Sequence, residues 1–227
     1  MDALIVFDMD GVLAEVTESY REAVQQTVEH FTARRPERDL IQQYKNAGGW
    51  NNDWALSHRI AADWGVDVPY QTVVDYFNQI FIGKDGDGLI LRENWLPQDG
   101  LLQRLSAQFG LSIFTGRLRY ELNYTLRRFA PEVAFDPIIC TGDVVRTKPA
   151  PDGLLKIGER KPGQRLIYVG DTVDDARAAR DAGVPFIGIA AREQLRREEV
   201  VELFKQEQAT AVIETVNQIE AAIREAL

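Results

Sequence analysis

The sequence predicts an α/β fold, in which a parallel sheet carries helices on both faces and a small all-helical insert follows the first strand. Short apolar runs alternate with helix-like stretches over most of the 227 residues. These runs are continuously apolar, which is typical of strands buried on both faces of a parallel sheet. Residues from about 15 to 95 break the alternation and have the pattern of consecutive helices. We therefore expect them to form the insert.

The predicted elements follow from this alternation. Six apolar runs are expected to be strands, at residues 3–7, 111–115, 137–140, 166–169, 186–190 and 211–213. Helical patterns accompany them at about 98–109, 118–130, 151–160, 173–182, 192–206 and 215–226. The insert is expected to hold helices near 17–33, 37–46, 52–64 and 69–82. The chain thus divides into a predicted core of 1–14 and 96–227 and a predicted insert of 15–95.

Composition excludes several classes of function. The chain is 45% hydrophobic and 27% charged, as in ordinary globular proteins. Its net charge of -9 argues against nucleic-acid and membrane-surface partners, which both attract basic proteins. No apolar run approaches the roughly 20 residues that span a bilayer, and the N-terminus lacks a signal-peptide pattern. The single cysteine, Cys140, is expected to be buried, and its lack of a disulfide partner fits a cytoplasmic location.

Two aspartates, Asp8 and Asp10, follow the first buried strand, one residue apart. Carboxylates at the end of a buried strand repel each other unless something offsets their charge, and a divalent cation such as Mg²⁺ is the usual partner of such oxygen ligands. Gly11 then lets the chain turn sharply. The plainer alternative is a strand followed by a polar turn.

Three further polar clusters follow predicted strands. They are Thr115-Gly116-Arg117, Lys148-Pro149-Ala150-Pro151-Asp152 and Gly170-Asp171-Thr172-Val173-Asp174-Asp175. Each has a plainer interpretation by itself, respectively a turn, a solvated lysine and a helix cap. Ligands of open parallel sheets bind at the carboxyl ends of the strands, so we expect the clusters to meet there.

Together the four clusters resemble the haloacid dehalogenase-like (HAD) hydrolase superfamily, and within it subfamily IA with a helical C1 cap, which includes phosphoglycolate phosphatase and beta-phosphoglucomutase-like proteins. The resemblance rests on Asp8-Met9-Asp10-Gly11-Val12-Leu13, Phe114-Thr115-Gly116-Arg117 and the two later clusters. It implies a Rossmann-like core and a cap formed by the insert. The chain departs from many relatives at Ala14-Glu15-Val16 and in an added charged helix within 192–208.

The resemblance also implies a mechanism. Asp8 would attack a phosphate ester and form an aspartyl phosphate that water hydrolyses. Asp10 would donate a proton to the leaving alcohol and then accept one from the water. Thr115, the Gly116 amide and Lys148 would bind the phosphoryl oxygens.

A magnesium site is implied by the same resemblance. Asp8, the backbone carbonyl of Asp10 and Asp171 would be the ligands. Asp175 would orient this shell, with Asp174 as the alternative. The expected partner is a small phosphorylated metabolite, and the expected assembly is a monomer or a homodimer.

The loop between the second and third predicted cap helices is a candidate for contacting the leaving group. Lys45, Asn51 and Asn52 offer polar donors, and Gly49 permits a tight turn. The alternative is an interhelix turn with buried tryptophans.

The sequence is compatible with two rival functions. A phosphomutase of the beta-phosphoglucomutase type shares all four clusters and differs in whether a second hydroxyl replaces water as acceptor. A catalytically silent metal-binding interaction domain is the other. A dehalogenase is disfavoured because it needs no acid at the position of Asp10.

Overall fold

The computed structural model describes residues 2–84 and 86–226. The chain divides into two compact units, Met1–Ala14 with Trp95–Leu227 and Glu15–Asn94. Positions 1 and 227 of the predicted core and position 85 of the predicted insert lie outside the described residues. Within the described ranges, no helix is both long enough and apolar enough to cross a membrane.

Six of the strands build one sheet in the first unit. The strands are β1 (Ala3–Phe7), β2 (Ala14–Glu15), β3 (Asn94–Trp95), β4 (Gly110–Phe114), β5 (Ile138–Ile139), β6 (Arg165–Gly170), β7 (Phe186–Ile189) and β8 (Ala211–Ile213). The sheet is parallel, in the order β5-β4-β1-β6-β7-β8, and β2 pairs separately with β3. Strand β1 is central, with Ile5 opposite Leu111 of β4 and Ile167 of β6.

The helices divide between the two units. The Glu15–Asn94 unit holds α1 (Glu22–Thr32), α2 (Arg38–Ala47), α3 (Asp53–Asp63) and α4 (Tyr70–Phe81). The unit with the sheet holds α5 (Leu101–Ser106), α6 (Arg119–Phe129), α7 (Asp152–Arg160), α8 (Val173–Ala182), α9 (Arg197–Gln206) and α10 (Ile219–Ala226). A π-helical turn at Thr17–Arg21 precedes α1, and a 3-10 turn at Leu89–Arg92 follows α4.

Both faces of the sheet are covered, as the continuous apolar strands predict. All five residues of β1 are buried. Leu4 and Val6 belong to a core cluster that includes residues of α7, α8 and α9. Because side chains alternate along a strand, Phe7 lies on the opposite face, where it meets Phe135 edge to face at 6.5 Å. The predicted α/β class with a helical insert is confirmed.

Several local features differ from the sequence prediction. The helix expected at about 98–109 spans only Leu101–Ser106. The helix expected at 192–206 begins at Arg197, because Arg196 has a left-handed backbone (φ 54°) that an α-helix cannot contain. Strands β2 and β3 have two residues each, too few to show a periodic pattern. In the Glu15–Asn94 unit, the core includes close aromatic contacts among Tyr20, Phe77 and Phe81.

Candidate active site

The predicted polar clusters lie together at the carboxyl edge of the sheet. Asp8 follows β1 and its amide donates to the Val169 carbonyl of β6 at 2.8 Å. Thr115 follows β4 and its amide donates to the Ile139 carbonyl of β5 at 3.0 Å. These bonds extend the strand pairing by one residue, which fixes where each polar side chain leaves the sheet. Asp171 directly follows the last residue of β6, Gly170.

Lys148 links two of the aspartates in a buried ion triad. Its Nζ lies 2.9 Å from Asp8 Oδ1 and 2.7 Å from Asp175 Oδ1. All three side chains are at most 4% exposed. The Lys148 ammonium also lies 5.1 Å from the centre of the Phe114 ring, which favours a cation. The sequence alone leaves this lysine as one of many that could be solvated, whereas the structure makes it the buried counterion of the site.

Burial and the charge of the ion partner shift the pKa of each member of this triad in opposite directions. Burial is the largest effect on Asp8 and, with the charges of Asp175 and Asp10, raises its pKa to about 7 despite the opposing effect of Lys148. Burial alone would lower the pKa of Lys148, but Asp175 and Asp8 outweigh it and raise the pKa. Burial would likewise raise the pKa of Asp175, but the Lys148 charge outweighs it and lowers the pKa. Lys148 is therefore protonated and Asp175 ionised at neutral pH.

Both carboxylate oxygens of Asp175 accept hydrogen bonds from protein groups. Oδ1 accepts from Lys148 and from the Tyr168 hydroxyl, each at 2.7 Å. Oδ2 accepts from the amide and the hydroxyl of Thr172, which caps α8. Asp174 lies 3.9 Å from Arg177 Nη1. Sequence reasoning missed Tyr168, because a tyrosine within an apolar strand has the pattern of ordinary core.

Carboxylate oxygens of Asp8, Asp171 and Asp175 lie within 4.8 Å of one another and could hold a metal ion. Gly11 packs directly against this cluster. Its backbone is left-handed (φ +70°), and a Cβ there would lie 2.0 Å from Asp171 Oδ2. Glycine at this position thus permits both the turn after Asp10 and the approach of Asp171.

Asp10 is held by an arginine to which the sequence analysis assigns no role. Arg117 donates to Asp10 Oδ1 from Nε at 2.9 Å and from Nη2 at 2.5 Å. Its backbone amide donates to the Thr115 hydroxyl at 3.2 Å. The adjacent Gly116 is half-buried. The signal that could have identified Arg117 is its place directly after the Thr-Gly pair, one residue beyond the predicted phosphate ligands.

The candidate leaving-group loop lies in the Glu15–Asn94 unit. Lys45 is buried there and lies 2.7 Å from Asp53. Asn52 caps α3 by accepting from the Ala55 amide at 3.0 Å. Gly49 is exposed and left-handed (φ +81°), and Asn51 is half-buried. Lys45 and Asn52 thus each have a partner within this unit, and Trp50 and Trp54, which the interhelix-turn alternative expects to be buried, are half-buried.

Cys140 is buried, as predicted. Burial raises the pKa of its thiol to about 11, so almost no thiolate exists at neutral pH. Since the thiolate is the reactive form, Cys140 has the properties of a packing residue.

Comparison with known proteins identifies relatives of this chain. The sequence profile of haloacid dehalogenase-like hydrolases matches residues 5–189. The imidazoleglycerol-phosphate dehydratase of Phytophthora nicotianae is 34% identical over 196 residues, which is 82% of this chain. The match covers 42% of that protein, so the chain spans less than half the length of this relative. The phosphoglycolate phosphatase of Escherichia coli (strain K12) is 40% identical over 57 residues, or 24% of this chain and 23% of that protein.

A solved structure shows the same fold at low sequence identity. The phosphonoacetaldehyde hydrolase like protein of Oleispira antarctica has a TM-score of 0.80 with 17% identity, over 99% of this chain and 92% of that chain. The profile match extends over most of the chain and includes the four clusters that line the carboxyl edge of the sheet. The chain belongs to the haloacid dehalogenase-like hydrolase family.

Proposed function

We propose that this protein is a Mg²⁺-dependent phosphatase that hydrolyses a small phosphate monoester through an aspartyl phosphate on Asp8. The observation that carries the proposal is the buried triad, in which Lys148 Nζ lies 2.9 Å from Asp8 and 2.7 Å from Asp175. A carboxylate beside a buried ammonium group can both attack phosphorus and share that cation with the phosphoryl oxygens.

The phosphoryl group would be held by Thr115, the Gly116 amide and Lys148. An ammonium group has three N–H donors, so the two carboxylate partners of Lys148 leave one for a phosphoryl oxygen. Asp10 would give its proton to the leaving oxygen and later accept one from the attacking water. Local cations and amides thus let an acidic protein bind an anionic substrate.

The acidic residues at this edge also fit a magnesium ion. Their carboxylate oxygens are the hard donors that Mg²⁺ prefers, and they are clustered within 4.8 Å. We assign Asp8, the Asp10 carbonyl and Asp171 as ligands. Asp175 instead orients the site, because both of its oxygens already accept protein hydrogen bonds. When bound, Mg²⁺ would offset negative charge on the phosphoryl group.

Replacing Gly11 by alanine should weaken Mg²⁺ binding at least tenfold, because the added Cβ would lie 2.0 Å from Asp171 Oδ2. Calorimetric titration with Mg²⁺ measures the affinity without substrate. Gly183→Ala is the matched control, since Gly183 has nearly the same backbone (φ +68°) but no atom near the added Cβ. Both variants should lose about 1–2 kcal/mol from left-handed strain, and only Gly11→Ala should lose affinity. Equal Mg²⁺ affinity in both would contradict the placement of Asp171.

The two-unit organisation is also part of the proposal. We assign residues 1–14 and 96–227 as the catalytic core and 15–95 as the cap that selects the leaving group. Lys45, Gly49, Asn51 and Asn52 are the cap candidates for contacting the substrate. The proposed setting is a cytoplasmic monomer or homodimer.

A panel of phosphate esters tests the function directly. It should include phosphoglycolate, imidazoleglycerol phosphate, sugar phosphates and an aryl phosphate, because two relatives are named for the first two. We expect phosphate release that requires Mg²⁺ and stops with chelator. Phosphate release without a bisphosphate activator favours the hydrolase, whereas phosphoryl transfer between sugar hydroxyls without net release would identify the phosphomutase. Turnover of no ester at all would indicate the silent binding domain.

A further inference from the structure

Arg117 is a fully buried cation that the proposed chemistry does not yet use. Its side chain is 0% exposed, whereas the Asp10 side chain is 30% exposed. Its Nη1 donates to the Thr125 hydroxyl of α6 at 2.8 Å. Burying a guanidinium group is costly unless it is paired and hydrogen-bonded, so the position of this arginine is tightly determined.

The backbone of Arg117 is fixed as well as its side chain. Its amide donates to the Thr115 hydroxyl and its carbonyl accepts from the Thr141 amide, both at 3.2 Å. The guanidinium therefore lies on a rigid support between the end of β4 and the start of α6. A rigid donor can hold its acceptor in one rotamer.

The two bonds to Asp10 both end on Oδ1, from Nε and from Nη2. This arrangement leaves Oδ2 outside the arginine contact on a side chain that is partly exposed. One oxygen of the carboxyl group is thus anchored to the interior, and the other is available for proton transfer.

We propose that Arg117 is a positioning residue that anchors Asp10 through Oδ1 and so makes Oδ2 the atom that exchanges protons with the leaving group. This inference rests on the proposed phosphatase function. As Asp8 bonds to phosphorus, the bond from phosphorus to the leaving oxygen breaks with its electron pair, and that oxygen takes the proton from Oδ2. In the second step water bonds to phosphorus, the bond to Asp8 breaks, and Oδ2 takes the water proton.

A leaving-group series tests this role separately from a structural one. The probes are substituted phenyl phosphates from phenyl to 2,4-dinitrophenyl, which share a shape but differ in their need for a proton. In Arg117→Met, kcat/KM should fall about 100-fold for phenyl phosphate and less than about fivefold for 2,4-dinitrophenyl phosphate, because acid help is worth about 10²–10⁴-fold only where the leaving group needs it. The value of kcat/KM is used because it reports the first step alone.

Controls separate the possible outcomes. Arg119→Met is the matched control, since Arg119 is a nearby exposed arginine paired with Asp143, and it should leave the series unchanged. Asp10→Asn should show the same dependence of kcat/KM on the leaving group as Arg117→Met. The double variant should have a kcat/KM little lower than that of either single variant. The inhibition constant of inorganic phosphate should stay unchanged in Arg117→Met, because Arg117 is assigned no contact with phosphate.

Other results would overturn the inference. Arg117 would be a structural residue if Arg117→Met lowered kcat/KM equally for every leaving group. The same conclusion would follow if the losses from Arg117→Met and Asp10→Asn multiplied in the double variant. If Arg117→Met fails to fold, Arg117→Lys keeps the charge without the two-donor contact and should show an intermediate dependence on the leaving group. If kcat/KM of Arg117→Lys depends on the leaving group as it does in the unmodified protein, the positioning role is contradicted. Failure of the unmodified protein to hydrolyse 2,4-dinitrophenyl phosphate with Mg²⁺ would instead contradict the phosphatase function.

Discussion

Replacing Asp8 by asparagine is expected to abolish phosphate release, by at least about 10⁴-fold in kcat, while the protein remains folded. An amide oxygen is a far weaker nucleophile than a carboxylate and cannot form the aspartyl phosphate. Steady-state assay of phosphate release measures the loss. Retention of a substantial fraction of the activity would exclude Asp8 as the nucleophile.

The stability of this variant carries a second, pH-dependent expectation. Burial raises the pKa of Asp8 to about 7 in the folded protein, from 3.8 in the unfolded reference. The unfolded chain therefore loses this proton first, and Asp8 lowers the stability progressively as pH rises from about 4 to 7. With a chelator present, Asp8→Asn should melt at a higher temperature than the unmodified protein between pH 5 and pH 8, and this difference in melting temperature should grow as the pH rises toward 7. A decreasing difference over that range would show that Asp8 is not a strained carboxylate.

Replacing Lys148 by methionine is expected to give the largest loss of stability, about 3–5 kcal/mol, together with loss of activity. Methionine keeps much of the apolar stem but leaves the buried Asp8 and Asp175 without their common cation, and an uncompensated buried charge is strongly destabilising. Denaturant unfolding with a chelator present measures the free energy. A loss below about 1 kcal/mol would contradict the buried ion triad.

Two comparisons show whether charge is the cause. Lys161→Met removes a half-buried lysine that pairs with the exposed Asp136, and it should cost only about 0–1 kcal/mol. Adding Asp8→Asn to Lys148→Met removes one of the two buried carboxyl groups that have lost their cation, so the double variant should be more stable than Lys148→Met alone. A double variant that is no more stable than Lys148→Met alone would indicate packing instead of charge.

Much of this fold could be predicted because each local pattern points to the same architecture. Continuously apolar strands such as Leu4–Phe7 indicate burial on both faces, and β1 is buried throughout. The start of α9 could not be predicted, because the left-handed backbone at Arg196 depends on the surrounding loop and not on helical periodicity. The two-residue strands β2 and β3 exist through pairing with each other, which a local pattern does not contain.

The candidate site divides in a similar way. Asp8, Asp10, Thr115, Lys148 and Asp171 follow strand ends, so the topology of a parallel sheet brings their loops to one edge. Which carboxylate pairs with which cation depends on side-chain geometry that spacing does not specify.

The two residues that sequence reasoning missed illustrate this limit. Tyr168 lies within an apolar strand and Arg117 follows a turn, and their partners become adjacent only after folding. Tyr168 reaches Asp175 when α8 packs back on the sheet, and Arg117 reaches Asp10 across 107 positions of sequence.

The central claim is that a phosphoryl group is transferred to Asp8, and trapping that group tests it most directly. The Asp10→Asn variant should accumulate the intermediate when mixed with 2,4-dinitrophenyl phosphate and Mg²⁺, because this leaving group needs no acid while the later attack of water still needs a base. After a rapid acid quench, mass spectrometry of the proteolysed protein should find one phosphoryl group on the peptide that contains Asp8. Turnover by this variant with that peptide unmodified at every quench time, or with the label on another residue, would contradict the account.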